Sequence, residues 1–335
     1  MSSEQVDITI IGGGPTGLYG LFYAGMRDVS ARIIDVLPEL GGQLTALYPE
    51  KDVFDVAGFP RVLAKDLARA LVVQALQFDA DVCLEERVLA LNPTEDGFGL
   101  ETTGGLRPTK AVVIGAGKGA FRSRTLKASG WDEFFGRGLE THVRDPERYR
   151  DRKVLIVGGG DSAFDWSWAL RGVAGSLTHV HRSDRFRAHA HTVSLVEEAM
   201  GRGELELLTY WEVAEIRGGD HVEGVLLVHS KTKEERPLEI NEIVALIGFV
   251  PNIGPITEWG LELEGNAIRV DSRMRTNVPG VFAAGDITAY EGSLDLISTG
   301  FGEAAIAVNN AVHYINPSAK VDPGHSTSSK AFKGD

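Results

Sequence analysis

Val6-Asp7-Ile8-Thr9-Ile10-Ile11-Gly12-Gly13-Gly14-Pro15-Thr16-Gly17 begins as an apolar run and breaks into a glycine turn, after which a helical apolar pattern continues through Leu18, Leu21 and Phe22 to Gly25. The stretch predicts a strand, a tight turn and a helix in succession. The next apolar run, Ala31 to Ile34, ends at Asp35, 23 residues after Gly12. That is near the spacing at which a carboxylate meets a ribose in a βαβ nucleotide fold. In such a turn the first glycine allows the bend, the second leaves room for a pyrophosphate, and the third lets helix and strand pack closely. The helix then presents free N–H groups and a positive dipole end to the phosphates. Gly12, Gly14, Thr16, Gly17 and Asp35 are therefore candidate dinucleotide-binding residues.

The same succession returns at Lys153-Val154-Leu155-Ile156-Val157, followed by Gly158-Gly159-Gly160-Asp161-Ser162-Ala163 and a helical stretch from Phe164 to Leu170. A lone glycine turn is weak evidence, but two turns that each carry strand, helix and end-of-strand chemistry are far more specific. Gly158, Gly160, Asp161, Ser162 and Ala163 are the second candidate set, with Ala163 at the third-glycine position. The next strand, Leu177 to His181, runs into Arg182-Ser183-Asp184-Arg185-Phe186-Arg187, so arginines stand where the first unit has its acid. Asp35 can accept both hydroxyls of an unmodified ribose, as the adenosine half of FAD requires. A carboxylate would repel a 2′-phosphate, whereas Arg182 and Arg187 can bind it through charge-assisted hydrogen bonds, which favours NADPH over NADH. On the residues alone, these arginines also fit a solvated basic loop.

The glycine-rich segments Val112 to Gly117 and Val244 to Gly248 flank the second unit and read as the places where the chain crosses between domains. The expected organisation is an α/β fold with two Rossmann-like, three-layer dinucleotide-binding domains. Residues 1–117 and 249–335 form the FAD domain, and the NADPH domain, residues 118–248, is inserted into it. A chain of 335 residues that is 43% hydrophobic is large enough for two well-buried cores. The stretch Asp145 to Arg152, DPERYRDR, reads as a solvated lead-in to the second nucleotide strand. Pro317 to Asp335, rich in Ser, Lys and Gly, reads on composition as a frayed tail.

The single cysteine, Cys83, excludes an intramolecular disulfide and a cysteine-based metal cluster, and reads as a small buried hydrophobe. The N-terminus lacks a signal-peptide pattern and no apolar run reaches spanning length, so a reducing, cytoplasmic compartment is expected. The net charge of −13 argues against nucleic-acid and anionic-membrane partners.

Taken in order, Gly12 to Gly17, Gly41-Gly42-Gln43, Gly158 to Ala163, His181-Arg182 through Phe186-Arg187-Ala188 and Val281-Phe282-Ala283-Ala284-Gly285-Asp286 resemble the low-molecular-weight thioredoxin reductase-like flavoproteins over nearly the whole chain. The resemblance implies that Asp286 serves the ribityl and phosphate portion of FAD, that Gln43 lies along the flavin, and that Val88 contacts the adenine end through its backbone. Thioredoxin reductases carry a Cys-x-x-Cys pair ahead of the second nucleotide strand, and those thiols relay electrons to a protein disulfide. Here that stretch reads Leu139-Glu140-Thr141-His142-Val143-Arg144-Asp145, without a thiol.

The sequence is closer to the thioredoxin reductase-like branch of ferredoxin/flavodoxin-NADP+ reductases. Leu47-Tyr48-Pro49-Glu50-Lys51 and Phe54 to Pro60 carry part of that likeness, and the C-terminal His325-Ser326-Thr327 carries the rest. By resemblance Tyr48 stacks on one face of the isoalloxazine, His325 covers the other, Thr327 approaches N5, and Phe121 is an aromatic near the flavin. Without the resemblance, Tyr48 also fits a half-buried interface tyrosine, and His325 reads as part of the tail. The implied activity passes electrons between NADPH and a one-electron carrier, ferredoxin or flavodoxin, through FAD in a homodimer, with no side chain acting as acid or base. Arg122, Arg124, Lys127, Arg148, Arg150, Arg152 and Lys153 are candidates for a basic docking surface, or for scattered solvated charge. A diaphorase or flavin oxidase reducing quinones or oxygen, and a non-catalytic FAD/NADP-binding protein, remain open on the residues alone.

Overall fold

The computed structural model describes residues 4–119, 122–143, 145–250 and 252–328. The chain divides into two compact units, Met1–Phe121 together with Pro251–Asp335, and Arg122–Val250.

The first unit is organised by the opening strand. Val6–Ile11 pairs in parallel with Ala31–Ile34 on one side and Gly105–Ile114 on the other. Asp81–Cys83 continues the sheet beyond Ala31–Ile34, and Val281–Ala283 joins the far end of Gly105–Ile114, both in parallel. Val88–Thr94 and Gly97–Thr102 add an antiparallel meander, completing a seven-stranded sheet. Both faces of the central strands are buried, so their sequences are nearly continuous apolar runs. Ile8, Ile10, Ile33 and Val113 point to the face covered by the helices Pro15–Met26, Ala64–Ala75 and Ile297–Ile315, through Leu18, Leu21, Leu67, Ala304 and Val308. Ile11, Ile34, Val112 and Ile114 point to the other face, against Ile253, Ile256, Trp259, Leu261 and Ile268. Each such fully buried side chain contributes about 1.5–3 kcal/mol relative to exposure.

The second unit repeats the design. Five parallel strands run in the order Leu139–Glu140, Glu242–Leu246, Lys153–Gly158, Ser176–His181, Glu206–Thr209. The helices Asp161–Leu170 and Ala190–Gly201 cover one face through Phe164, Leu170, Val196 and Ala199. The opposite face packs on the antiparallel sheet Trp211–Gly218, Val222–His229, Glu235–Glu239, through Val213, Ile216, Val225 and Leu227. Arg122–Ser123 and Phe249–Val250, where the chain enters and leaves this unit, pair with each other as an antiparallel ribbon.

The stretch Asp145 to Arg152 is not the fully solvated lead-in that its charge suggests. Pro146–Tyr149 forms a 3-10 turn capped by the Asp145 carboxylate, which accepts from Glu147 N–H. The turn drives Tyr149, 1% exposed, into the core with Phe164 and Leu170. Among the described residues no helix is long and apolar enough to cross a membrane.

Candidate functional site

The parallel strands Val6–Ile11, Ala31–Ile34 and Gly105–Ile114 run out together at the rim of a cleft of about 620 Å³ in the first unit. Gly12 makes the first turn at φ +109°, where a Cβ would stand 2.5 Å from the Gly115 carbonyl oxygen. A Cβ on Gly17 would overlap the Gly12 carbonyl, so helix and strand reach their spacing only with glycine there. Gly14 differs in kind: its backbone is extended, and a Cβ would meet no atom closer than 3.9 Å, projecting instead into the cleft. That is the cradle a pyrophosphate requires, at the open N-terminus of the helix Pro15–Met26.

Gly12, Gly14, Thr16, Asp35, Gln43, Tyr48, Val88 and Asp286 all line this cleft, while Gly17 acts one layer behind it. The Asp35 carboxylate, 8% exposed, accepts from the Gly13 N–H and, at 2.8 Å, from the Leu37 N–H. Burial pushes its pKa up, and those backbone donors oppose the shift. A carboxylate held by two backbone bonds keeps free lone pairs for ribose hydroxyls. Tyr48 is half-buried, and burial followed by the charges of Asp286 and Asp55 raises its hydroxyl to about 12, so it is a neutral phenol across the working range.

Lys118 and its partner Asp295 escape the sequence motifs. Lys118 Nζ donates to the Asp286 carbonyl oxygen at 3.1 Å and to Asp295 Oδ2 at 2.6 Å, tying together segments far apart in the chain. Burial and then Asp295 raise the Asp286 carboxyl, while Lys118 pulls it back. The only hint in the sequence is a cation inside the glycine-rich end of a strand, Gly115-Ala116-Gly117-Lys118-Gly119. His325 and Thr327 are exposed and do not line the cleft, and Phe121 lies outside the described residues.

In the second unit, a Cβ on Gly158 would overlap the Leu246 carbonyl oxygen and approach Ala163 Cβ to 2.8 Å. A Cβ on Gly160 would meet nothing within 4 Å. The pattern is that of the first turn: one glycine dictated by packing, one left open beside a helix N-terminus, here that of Asp161–Leu170 with Ser162 in its first turn. Arg187 N–H donates to the Gly159 carbonyl at 2.7 Å, which brings the basic loop onto the turn. Arg182 and Arg187 are exposed, and neither has an ion-pair partner among the described residues. The Asp161 carboxylate accepts from the His189 N–H at 2.9 Å, so it holds the loop rather than standing free.

His179 is a further residue the motifs miss. It is fully buried, its Nδ1 lies 2.9 Å from Ser167 Oγ, and its Nε2 lies 3.0 Å from the Gly158 carbonyl oxygen. Burial lowers its pKa to about 4, so the ring is neutral and donates from Nε2 to the turn.

Three of the seven cations of the expected basic docking set are paired within their own unit. Arg148 pairs with Glu140 at 3.1 Å, Arg150 with Glu147 at 2.6 Å and Lys153 with Glu239 at 2.9 Å. Glu147 and Glu140 lie nearby in sequence and Glu239 comes from a distant strand, so this part of the set is mixed charge. Cys83 is buried, and burial lifts its thiol to about 11, which makes it inert. Among the described residues no group of His, Cys, Asp or Glu could hold a metal ion.

The chain is 48% identical over 335 residues, all of both chains, to a protein of Thermus thermophilus named ferredoxin–NADP reductase. It is 46% identical, over 97% of this chain and 98% of the other, to ferredoxin–NADP reductase 2 of Shouchella clausii. Among solved structures it is similar to the thioredoxin reductase of T. acidophilum, with a TM-score of 0.76 and 26% identity over 94% of this chain and 99% of that one. Residues 6–311 match the family described as pyridine nucleotide-disulphide oxidoreductase, and the chain belongs to that family.

Proposed function

We propose that the chain is a ferredoxin–NADP+ reductase, an FAD-dependent oxidoreductase that passes electrons between NADPH and a one-electron carrier, ferredoxin or flavodoxin. Two full-length relatives bear that name. The observation that carries the reading is chemical: the one thiol, Cys83, is buried and held protonated, so no dithiol relay to a disulfide substrate can operate. FAD and NADP(H) are the cofactors that family membership brings.

Bound FAD supplies the exchange between a two-electron donor and a one-electron acceptor. The chain's own residues bind and orient. Gly14 leaves space for the pyrophosphate, with the helix N-terminus supplying donors, and Asp35 accepts the ribose hydroxyls. Asp286 faces the ribityl and phosphate portion. Gln43 and the neutral Tyr48 flank the ring, and Val88 closes the adenine end. In the second unit Gly160 leaves the corresponding space, and Ser162 and Ala163 begin the helix behind it. Arg182 and Arg187 select the 2′-phosphate. His325 and Thr327 are assigned to the flavin from the chain's likeness to its family, as Phe121 is. No step needs a side chain to gain or lose a proton.

The reading includes a homodimer in the cytoplasm. Support for the dimer comes from apolar side chains that the first unit leaves exposed, among them Val73 at 67% and Ile306 at 41%. Light scattering of the purified protein tests the dimer. The thiol-independent route is tested with Cys83→Ala holoenzyme: NADPH-driven reduction of ferredoxin within twofold of the parent rate supports it, and a collapse of that rate refutes it.

A further inference from the structure

A buried carboxylate that no cofactor motif claims stands behind the cleft. Glu303 lies two turns into the helix Ile297–Ile315 and is 5% exposed. Its Oε2 accepts from the Gly285 N–H at 2.6 Å and its Oε1 from the Tyr290 hydroxyl at 2.6 Å. Thr288 completes the turn by donating to the Gly285 carbonyl at 2.8 Å. One side chain thus ties both ends of the segment 285–290, whose second residue, Asp286, faces the cleft.

The segment lies tightly against the first nucleotide turn, so a small displacement of it reaches the cofactor cleft. Gly285 sits at φ +78°, and a Cβ there would come within 2.7 Å of Thr16 Oγ1, so the turn is wedged against the first nucleotide turn. Burying a carboxylate is costly unless charge-assisted bonds satisfy it. Here the donors are a backbone N–H at the cofactor turn and a phenol, which makes the cost of burial the force that fixes the turn.

We propose that Glu303 is a positioning residue for FAD: its carboxylate, bonded to the Gly285 N–H and the Tyr290 hydroxyl, holds the turn so that Asp286 faces the ribityl and phosphate portion. The proposal rests on the assignment of the first-unit cleft to FAD. Glu303→Gln keeps the shape, offering its amide oxygen to Gly285 and its amide N–H to the Tyr290 oxygen. Glu303→Met keeps the volume and removes both partners.

The test titrates apoprotein of the parent and each variant with FAD, and records the visible circular dichroism of the bound flavin. FAD binding is expected to weaken about tenfold in the Met variant, with a changed dichroism band, and to recover to within about threefold of the parent in the Gln variant. A Met variant that binds within twofold of the parent overturns the proposal, as does equal weakening in Met and Gln, because Gln retains an acceptor for Gly285. Where the Met variant fails to fold, Tyr290→Phe decides, with FAD release about threefold faster expected and an unchanged rate overturning the proposal. A parent protein that takes up no FAD would refute the cofactor assignment itself, a separate outcome.

Discussion

Replacing Arg182 and Arg187 by alanine, singly and together, tests the difference between the two glycine turns. Both guanidinium groups are exposed and lack an ion-pair partner among the described residues, and Arg187 is drawn onto the turn by its backbone bond to Gly159 at 2.7 Å. Charge-assisted bonds to a phosphate are worth more than neutral ones, but solvent screens these, so about 1 kcal/mol per arginine is appropriate. That corresponds to about fivefold weaker NADPH binding for each single variant and about thirtyfold for the pair. NADH has no 2′-phosphate and should bind all variants alike. The measurement is the dissociation constant of each nucleotide, by titration of purified holoprotein at 0.1 M salt, where the screening length is about 10 Å. Unfolding stability should stay within about 0.5 kcal/mol of the parent, since no native ion pair is removed. An unchanged NADPH-to-NADH ratio in the double variant would refute the assignment, and equal losses for both nucleotides would show that the arginines support the turn rather than select the phosphate.

Gly160→Ala should leave stability unchanged, because its backbone is extended and a Cβ finds open space, yet weaken NADPH binding at least tenfold; thermal unfolding and nucleotide titration measure the two separately. Asp35→Ala removes the acceptor of the buried Gly13 and Leu37 N–H groups, so a loss of about 1–3 kcal/mol in denaturant unfolding is expected, together with purification largely free of flavin colour. Glu86 is bound by Arg107 through two contacts of 2.8 Å, and that guanidinium holds its carboxyl below the ordinary range. A depressed folded pKa gives stability that is present above the unfolded value, near 4.3, and lost as pH falls through the folded value. Glu86→Gln should therefore cost about 3 kcal/mol at pH 7, and the gap between variant and parent should shrink below about pH 4 in urea titrations.

The two nucleotide turns were legible because their constraints are local. Gly17 answers to the Gly12 carbonyl and Gly158 to Ala163 Cβ within one βα unit, and the acid or arginine at the next strand end follows within some two dozen residues, whereas the contacts of Gly12 with Gly115 and of Gly158 with Leu246 come from distant strands. What escaped was set by long-range packing. Arg32 sits in an apolar strand yet is fully buried, because Asp81 and the Pro108 and Glu4 carbonyls receive it. Tyr149 is buried inside a charged octapeptide for the same kind of reason. Lys118 and Glu303 shape the cleft from positions 168 and 18 residues away from the groups they hold, separations no motif encodes. Within the basic set, the pairings of Arg148 with Glu140 and Lys153 with Glu239 were equally hidden, because those acids sit on other strands.

The central claim, a one-electron carrier rather than a disulfide as acceptor, is tested most directly by anaerobic turnover of the holoenzyme with NADPH and, separately, ferredoxin, flavodoxin and oxidised thioredoxin. Rapid reduction of ferredoxin or flavodoxin with no detectable thioredoxin thiol formation is the predicted result. Thioredoxin reduction at a comparable rate, or NADPH consumption that no carrier accelerates, would contradict it.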